Sequence, residues 1–337
     1  MKKKLFVSSV LLLAVGWGVK PLTTSAIARP PIVLAQSEGN RPANNSTPTA
    51  PAAPNPPIQT QVELLDPGVE PRQELRFQPR VNDRETAVMI LNMEMGMSLG
   101  GSQLVKVKVP TNVITTDMST TKVDDNGDIH AQFSYSDVQV LADEGVPPEL
   151  VGVMRSQMKK LAGVKGDFVV DRQGKPKSAN FVLPAGVDPT TKQMLDQFSS
   201  SINQLSFPLP AEPIGAGAKW RGTTTLSING INLTQIATFK LTSIQDNVAN
   251  LDVAIEQKAD EQQLTFPGLG TTANVTLKSL NSQGQGKMRI RLDKLLPISA
   301  NLALNSNTET SASVPGTSEA IATTIQLSMN LSIRSKN

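Results

Sequence analysis

Along most of its length this chain changes polarity at every second residue. Ile325, Leu327, Met329, Leu331 and Ile333 are separated by Gln326, Ser328, Asn330 and Ser332. Met288, Ile290 and Leu292 alternate with Arg289, Arg291 and Asp293, and Ile298, Ala300, Leu302 and Leu304 alternate with Ser299, Asn301, Ala303 and Asn305. Successive side chains of a strand point to opposite faces, so each run makes a strand with one apolar and one wet face. Asn229-Gly230, set between Leu226-Ser-Ile228 and Ile231-Asn-Leu233, is a two-residue hairpin signal. Asp125-Asn-Gly-Asp128 and Asp171-Arg-Gln-Gly174 are further turns. One-sided strands joined by short turns predict a mainly β fold, a curved antiparallel sheet or barrel-like meander.

The pattern also repeats. Pro176-Lys-Ser-Ala-Asn-Phe-Val-Leu183 returns as Pro297-Ile-Ser-Ala-Asn-Leu-Ala-Leu304, and Val123-Asp-Asp-Asn126 as Ile244-Gln-Asp-Asn247, both at an offset of 121. Two echoes in one order at one offset predict two related β halves. The first half, 70–205, carries two inserted helices, and the second runs over 206–337. One helix is expected over 148–162, with Pro148 in its first turn, Glu149 near its start, Lys159 and Lys160 near its end and Gly163 as its stop. Leu150, Met154, Met158 and Leu161 share one face of it. The other is expected over 188–205, with Asp188 as N-cap, Pro189 at the first position, and Leu195, Phe198, Ile202 and Leu205 at helical spacing. Both helices are expected to cover the concave side of the sheet.

The beginning of the chain reads as an address. Lys2, Lys3 and Lys4 precede an apolar run from Leu5 to Val19, and Ala26-Ile-Ala28 is a small-residue cleavage site, with Val33-Leu-Ala35 as the alternative. That run is short for a span, which needs about 20 residues. Residues 1–28 are therefore expected to be a signal peptide, which places the protein outside the cytoplasm, periplasmic or extracellular, with no transmembrane span after cleavage. Residues 29–69 are Pro-rich at their start and are expected to form a disordered tether. The chain contains no cysteine, so no lipid-bearing cysteine and no disulfide is available. Residues 1–28 hold four lysines and no acid; the remainder has 28 basic and 29 acidic residues. With no contiguous Lys/Arg cluster left, nucleic acid is not an expected partner, and shape and apolar contact are expected to outweigh long-range charge.

Little here carries catalysis. His130 is the single histidine and sits on the polar side of an alternating strand beside Gln132, Ser134 and Ser136. No nucleophile elbow, phosphate loop or His/Cys metal spacing is present, so neither an enzyme nor a cofactor is expected. Asp124-Asp-Asn-Gly-Asp128 lacks the downstream Glu and the glycine position of a calcium loop and reads as a tight turn. The methionines are more distinctive. Met89, Leu91, Met93, Met95, Met97 and Leu99 share one face of a strand. Thioethers adapt to irregular apolar partners, so this face is expected to be core or the pliable wall of an apolar site, with Met154, Met158, Leu195 and Phe198 opposite. Met93, Met95 and Met97 also have the softness of copper(I) ligands, a second reading of the same residues. Trp220, at a strand start, is expected to anchor the core.

The run Phe207-Pro-Leu-Pro-Ala-Glu-Pro-Ile-Gly215 followed by Gly217-Ala-Lys-Trp220 is similar to a stretch found in uncharacterised exported bacterial β-rich proteins, a domain of unknown function. At the level of fold the chain resembles the half-barrels of periplasmic lipoprotein carriers and lipid-binding lipoproteins. That resemblance implies a hydrophobic cavity between sheet and helices that holds acyl chains. The expected function is accordingly an exported, non-enzymatic binding protein that holds a lipid or other apolar small molecule. A structural or protein-interaction module of the cell envelope is the alternative, and copper binding the next. A transmembrane β-barrel fits less well, because aromatic residues make up only 4% where interfacial girdles need them. N-terminal sequencing of the exported protein tests the address: the expected mature start is Arg29, or Gln36 if the second site is used.

Overall fold

The computed structural model describes residues 60–182, 208–228, 230–264, 275–313 and 320–336. The alternating runs form thirteen strands of one antiparallel sheet. They are β1 (Thr60–Asp66), β2 (Arg84–Leu99), β3 (Val105–Val123), β4 (Ile129–Val140), β5 (Lys165–Val170), β6 (Pro176–Val182), β7 (Lys219–Ile228), β8 (Ile231–Gln245), β9 (Val248–Ala259), β10 (Gln262–Leu264), β11 (Val275–Arg291), β12 (Ser299–Ser313) and β13 (Ala320–Lys336). Their order is β1-β7-β8-β9-β11-β12-β13-β2-β3-β4-β5-β6, with β10 beside β11. Among the described residues β1 and β6 are unpaired edges of this path, so the sheet is open rather than a closed barrel.

Strands β7–β13 and strands β2–β6 occupy adjacent parts of that sheet, joined where β13 pairs with β2. β3-β4-β5-β6 and β8-β9-β11-β12 are meanders running in the same direction along it, and the turns that echo in sequence link β3 to β4 and β8 to β9. Between β7 and β8 Ile228 stands opposite Ile231, with Gly230 at φ +79°. Thr60–Asp66, which the sequence reading assigned to the tether, is instead strand β1. Its Val62 and Leu64 pair with Gly222 and Trp220 of β7, which gives this stretch an apolar face to bury.

Of the two expected helices, one lies within the described residues. α1 (Pro148–Met158) is followed by a 3₁₀ turn, Lys159–Leu161, and stops at Gly163, whose φ of +83° suits a residue without Cβ. Val151, Met154, Met158 and Leu161 are buried against Val109, Ile114, Phe133 and Tyr135. Leu150 lies at the margin of that contact. The helix expected over 188–205, with Leu195 and Phe198, falls outside the described residues.

One end of the curved sheet is closed by the strap 67–80 and the segment 208–218. Phe77 N–H donates to the Arg172 carbonyl (2.8 Å) and Gln78 N–H to the Leu292 carbonyl (2.6 Å), so the strap joins the β5–β6 turn to the β11–β12 connection. Gln73 and Ile214 exchange backbone hydrogen bonds of 3.0 and 2.9 Å, and Leu209 N–H reaches the Gln173 carbonyl. Leu75, Phe77, Leu209 and Ile214 enter one core with Ile129 of β4, Trp220 of β7, Phe239 of β8 and Leu331 of β13. Trp220 stacks on Phe239 at 5.4 Å and donates its indole N–H to the Pro208 carbonyl, which leaves its polar atom satisfied in an apolar site. The start of β2 is held separately. The buried Glu85 carboxylate accepts the N–H groups of Leu295 (3.0 Å) and Leu296 (2.8 Å), while burial pushes its pKa up from the ordinary value.

The strap leaves no room at Gly215, where a Cβ would stand 1.8 Å from the Val69 carbonyl oxygen. Gly152, on the exposed side of α1, meets nothing within 4 Å. Gly215→Ala should destabilise the protein by about 3 kcal/mol through forced separation of the strap. Gly152→Ala should stabilise it by about 1 kcal/mol through helix propensity. Urea unfolding of the two variants checks both signs.

Candidate functional site

The pairing register shows which side chains share the inner face, the face that carries the core. Met89, Leu91, Met93, Met95 and Met97 stand opposite Ile333, Leu331, Met329, Leu327 and Ile325 of β13 in unbroken register, so the expected one-sided methionine face is present. On the other side of β2 the register with β3 shifts between Leu91 and Met93, which leaves an extra residue on β3 around Pro110. A bulge suits a proline, which has no N–H for the ladder.

The expected wall residues separate by burial. Met154 and Met158 are 2% and 1% exposed and fill the core beneath α1 instead of lining open space. Met89 packs against both the strap-end core and the α1 core, and Leu91 packs against the first. Met95 is 6% exposed. Met93 and Met97 are half-buried, with Met93 against the α1 core.

The most open part of the inner face is a row that crosses the sheet from Met93. Met93 stands opposite Met329, Met329 opposite Leu304, Leu304 opposite Gly284, Gly284 opposite Ile255, and Ile255 opposite Ala237. The five residues of this row other than Gly284, namely Met93, Met329, Leu304, Ile255 and Ala237, are only half-buried. Sequence reasoning named Met93 and missed the other four. Met329, Leu304 and Ile255 were visible as the apolar members of alternating runs, but only register shows that they adjoin Met93.

A polar belt bounds this row on the side away from the strap. Thr60, Thr224, Gln235, Gln257, Ser282 and Ser306 follow one another across six strands on the same inner face. Thr60 and Thr224 hydroxyls lie 2.9 Å apart, Gln257 Nε2 donates to Gln235 Oε1 at 2.8 Å, and Ser282 and Ser306 hydroxyls lie 2.9 Å apart. Cross-strand pairing satisfies these groups and lets them stand between apolar neighbours. Beyond the belt, Leu226, Leu233, Leu264, Val275 and Leu277 form a separate apolar cluster.

A trough of about 890 Å³ crosses the same strands, lined by side chains of the opposite face and by the core residues Phe239, Val253, Leu302 and Leu331. One of its walls is the transverse row Lys219, Lys240, Asp252, Lys287, Asn301 and Ser332. In the neighbouring row Ala254 stands between Thr238 and Gln285, and Ala303 between Gln285 and Asn330. Sequence reasoning missed this site because its lysines are scattered along the chain.

The remaining candidates lie together at the β3–β4 turn. His130 Nε2 lies 2.7 Å from Asp124 Oδ2, while Lys122 Nζ holds Asp124 Oδ1 at 2.6 Å. The Lys122 hydrogen bond, then that of His130, holds the Asp124 carboxyl below its ordinary pKa. Asp128 is likewise lowered, chiefly by Lys177. These contacts tie up the carboxylates of the Asp-rich turn, in which Gly127 has φ +88°. Among the described residues no group of three or more His, Asp or Glu side chains could hold a metal ion. Among them also, no helix is long and apolar enough to cross a membrane, which says nothing of strands.

A family model described as a family of unknown function (DUF6263) matches residues 193–295, the part of the chain that includes β7 to β11. This fits the expected resemblance to an uncharacterised domain. No curated protein matches the chain. Among solved structures the chain is similar to OmpT (in-vitro folded), an outer membrane protein of Vibrio cholerae in trimer form. The identity is 8% over 74% of this chain and 100% of that one, with a TM-score of 0.15. A likeness that low carries no argument about fold or function.

Burial along the methionine face is directly measurable. Under mild peroxide, Met93 and Met329 should form sulfoxide well before Met95, Met154, Met158 and Met288, because oxidation follows exposure. Peptide mapping by mass spectrometry reads the order.

Proposed function

We propose that this protein is an exported, non-enzymatic binding protein that holds an apolar molecule, a lipid or a similar hydrophobic ligand, against the inner face of its curved sheet. The observation that supports this reading is the half-buried row Met93, Met329, Leu304, Ile255 and Ala237. Covering such a row removes apolar area from water at about 25 cal/mol per Å². The row has a closed strap end on one side and a hydrogen-bonded polar belt on the other, an apolar zone with polar limits of the kind that orients a ligand. Two unbranched thioethers facing each other across β2 and β13 can adjust to acyl chains of different shape.

Native mass spectrometry of the chain from Arg29, prepared from its source envelope without detergent, tests the reading. The expected result is an adduct of several hundred daltons that is lost on denaturation and is absent in Met93→Glu and Ile255→Glu. The bound ligand should also protect Met329 from peroxide. An apo mass that persists after incubation with envelope lipids would overturn the proposal in favour of an envelope interaction module. An adduct of a single copper ion, abolished by Met93→Leu, would replace it with copper binding.

A further inference from the structure

The face opposite the apolar row gathers cations that the sequence disperses. Lys219 pairs with Lys240, Lys240 with Asp252, and Asp252 with Lys287 in successive strands, so the four side chains stand in one line on one face. All three lysines are exposed and form no ion pair with any described residue, nor does Asp252. Arg289 and Arg334, both exposed, flank the line through their common partner Ser299. Three lysines thus line the trough around one carboxylate, with two arginines beyond them on the same face, on a protein whose charge without residues 1–28 is close to balanced.

We propose that this trough binds an anionic polysaccharide, a chain of sugars bearing carboxylate or sulfate groups. The trough crosses seven strands from β7 to β2, roughly 29 Å at the usual interstrand spacing, a length suited to a linear ligand and not to a compact one. Its cations supply the charge complementarity. Its side-chain amides, Gln285, Asn301 and Asn330 among them, supply both donors and acceptors for hydroxyl groups. The low floor at Ala254 and Ala303 leaves space between the two rows. Three other polyanions fit less well. Single-stranded nucleic acid needs aromatic platforms for its bases, and the one ring in the trough's lining, Phe239, is buried and stacked against Trp220. A peptide running across the strands meets side chains and not the edge N–H and C=O groups that it uses when it joins a sheet. A lipid headgroup surface is planar and does not enter a trough.

Isothermal titration of the folded chain with alginate oligomers, in parallel with neutral dextran, poly-L-glutamate and single-stranded oligothymidylate, tests this. Alginate should bind with an affinity that falls as salt rises, and dextran should not bind. Lys240→Gln combined with Lys287→Gln should weaken alginate binding by about tenfold or more, and Asp252→Asn should strengthen it; both variants should melt with the wild type, since all three side chains are exposed or half-exposed. Absence of alginate binding, equal binding of dextran, or equal affinity of both variants would overturn the proposal. Tighter binding of poly-L-glutamate or oligothymidylate than of alginate would overturn it in favour of an acidic peptide or a nucleic acid. Apolar ligand binding is read at Met93 and Ile255 on the other face, so either proposal can fail without the other.

Discussion

The structure depends on the hydrogen bonds of one extended strap. A long antiparallel sheet with two free edges has no intrinsic reason to hold one curvature, because each strand is fixed only to its neighbours. Residues 67–80 supply the missing long-range constraint. Their backbone reaches Ile214 beside β7, Arg172 between β5 and β6, and Leu292 between β11 and β12. Leu75 and Phe77 bury their side chains within the same short stretch, so apolar burial and backbone pairing reinforce each other. With this end fixed, Ile129 near one edge of the sheet shares a core with Trp220 near the other.

Closure at one end has consequences for the rest of the inner face. Near the strap, the inward side chains of both meanders pack on one another. Farther along, α1 covers the β3–β4 region, and the cross-sheet row from Met93 to Ala237 is covered less completely. The polar belt at Thr224, Gln257 and Ser282 then interrupts the apolar surface. Buried polar groups are tolerated where neighbouring strands supply their partners, and antiparallel register does so here by placing like residues opposite one another. The inner face is therefore zoned along the strands: a filled core, an open apolar row, a polar belt and a second small core.

Sheet geometry also allows the two faces to carry different chemistry. A strand offers every second residue to each side, so Met329 serves the inner face while Asn330 and Ser332 line the trough. The apolar row and the cationic trough occupy the same strands without sharing a side chain. A change confined to one face can leave the packing of the other intact.

What the sequence determined by itself follows from local rules. Period-two alternation made the strands legible, Asn229-Gly230 and the Asp-rich segments their turns, and the glutamate, lysines and Gly163 the helix over 148–162. The one-sided methionine run was legible for the same reason, since a face depends only on parity within a strand. Thr60–Asp66 was not, because its apolar residues are few and a Pro-rich lead masks them; its pairing with β7 gives it a reason to be a strand. Tertiary structure alone decided which strand lies beside which. That choice put β13 against β2 and so Met329 against Met93, and brought Lys219, Lys240 and Lys287 into one line. It also buried Met154 and Met158 beneath the helix. Each of these depends on residues far apart in the chain meeting through register, which local periodicity does not encode.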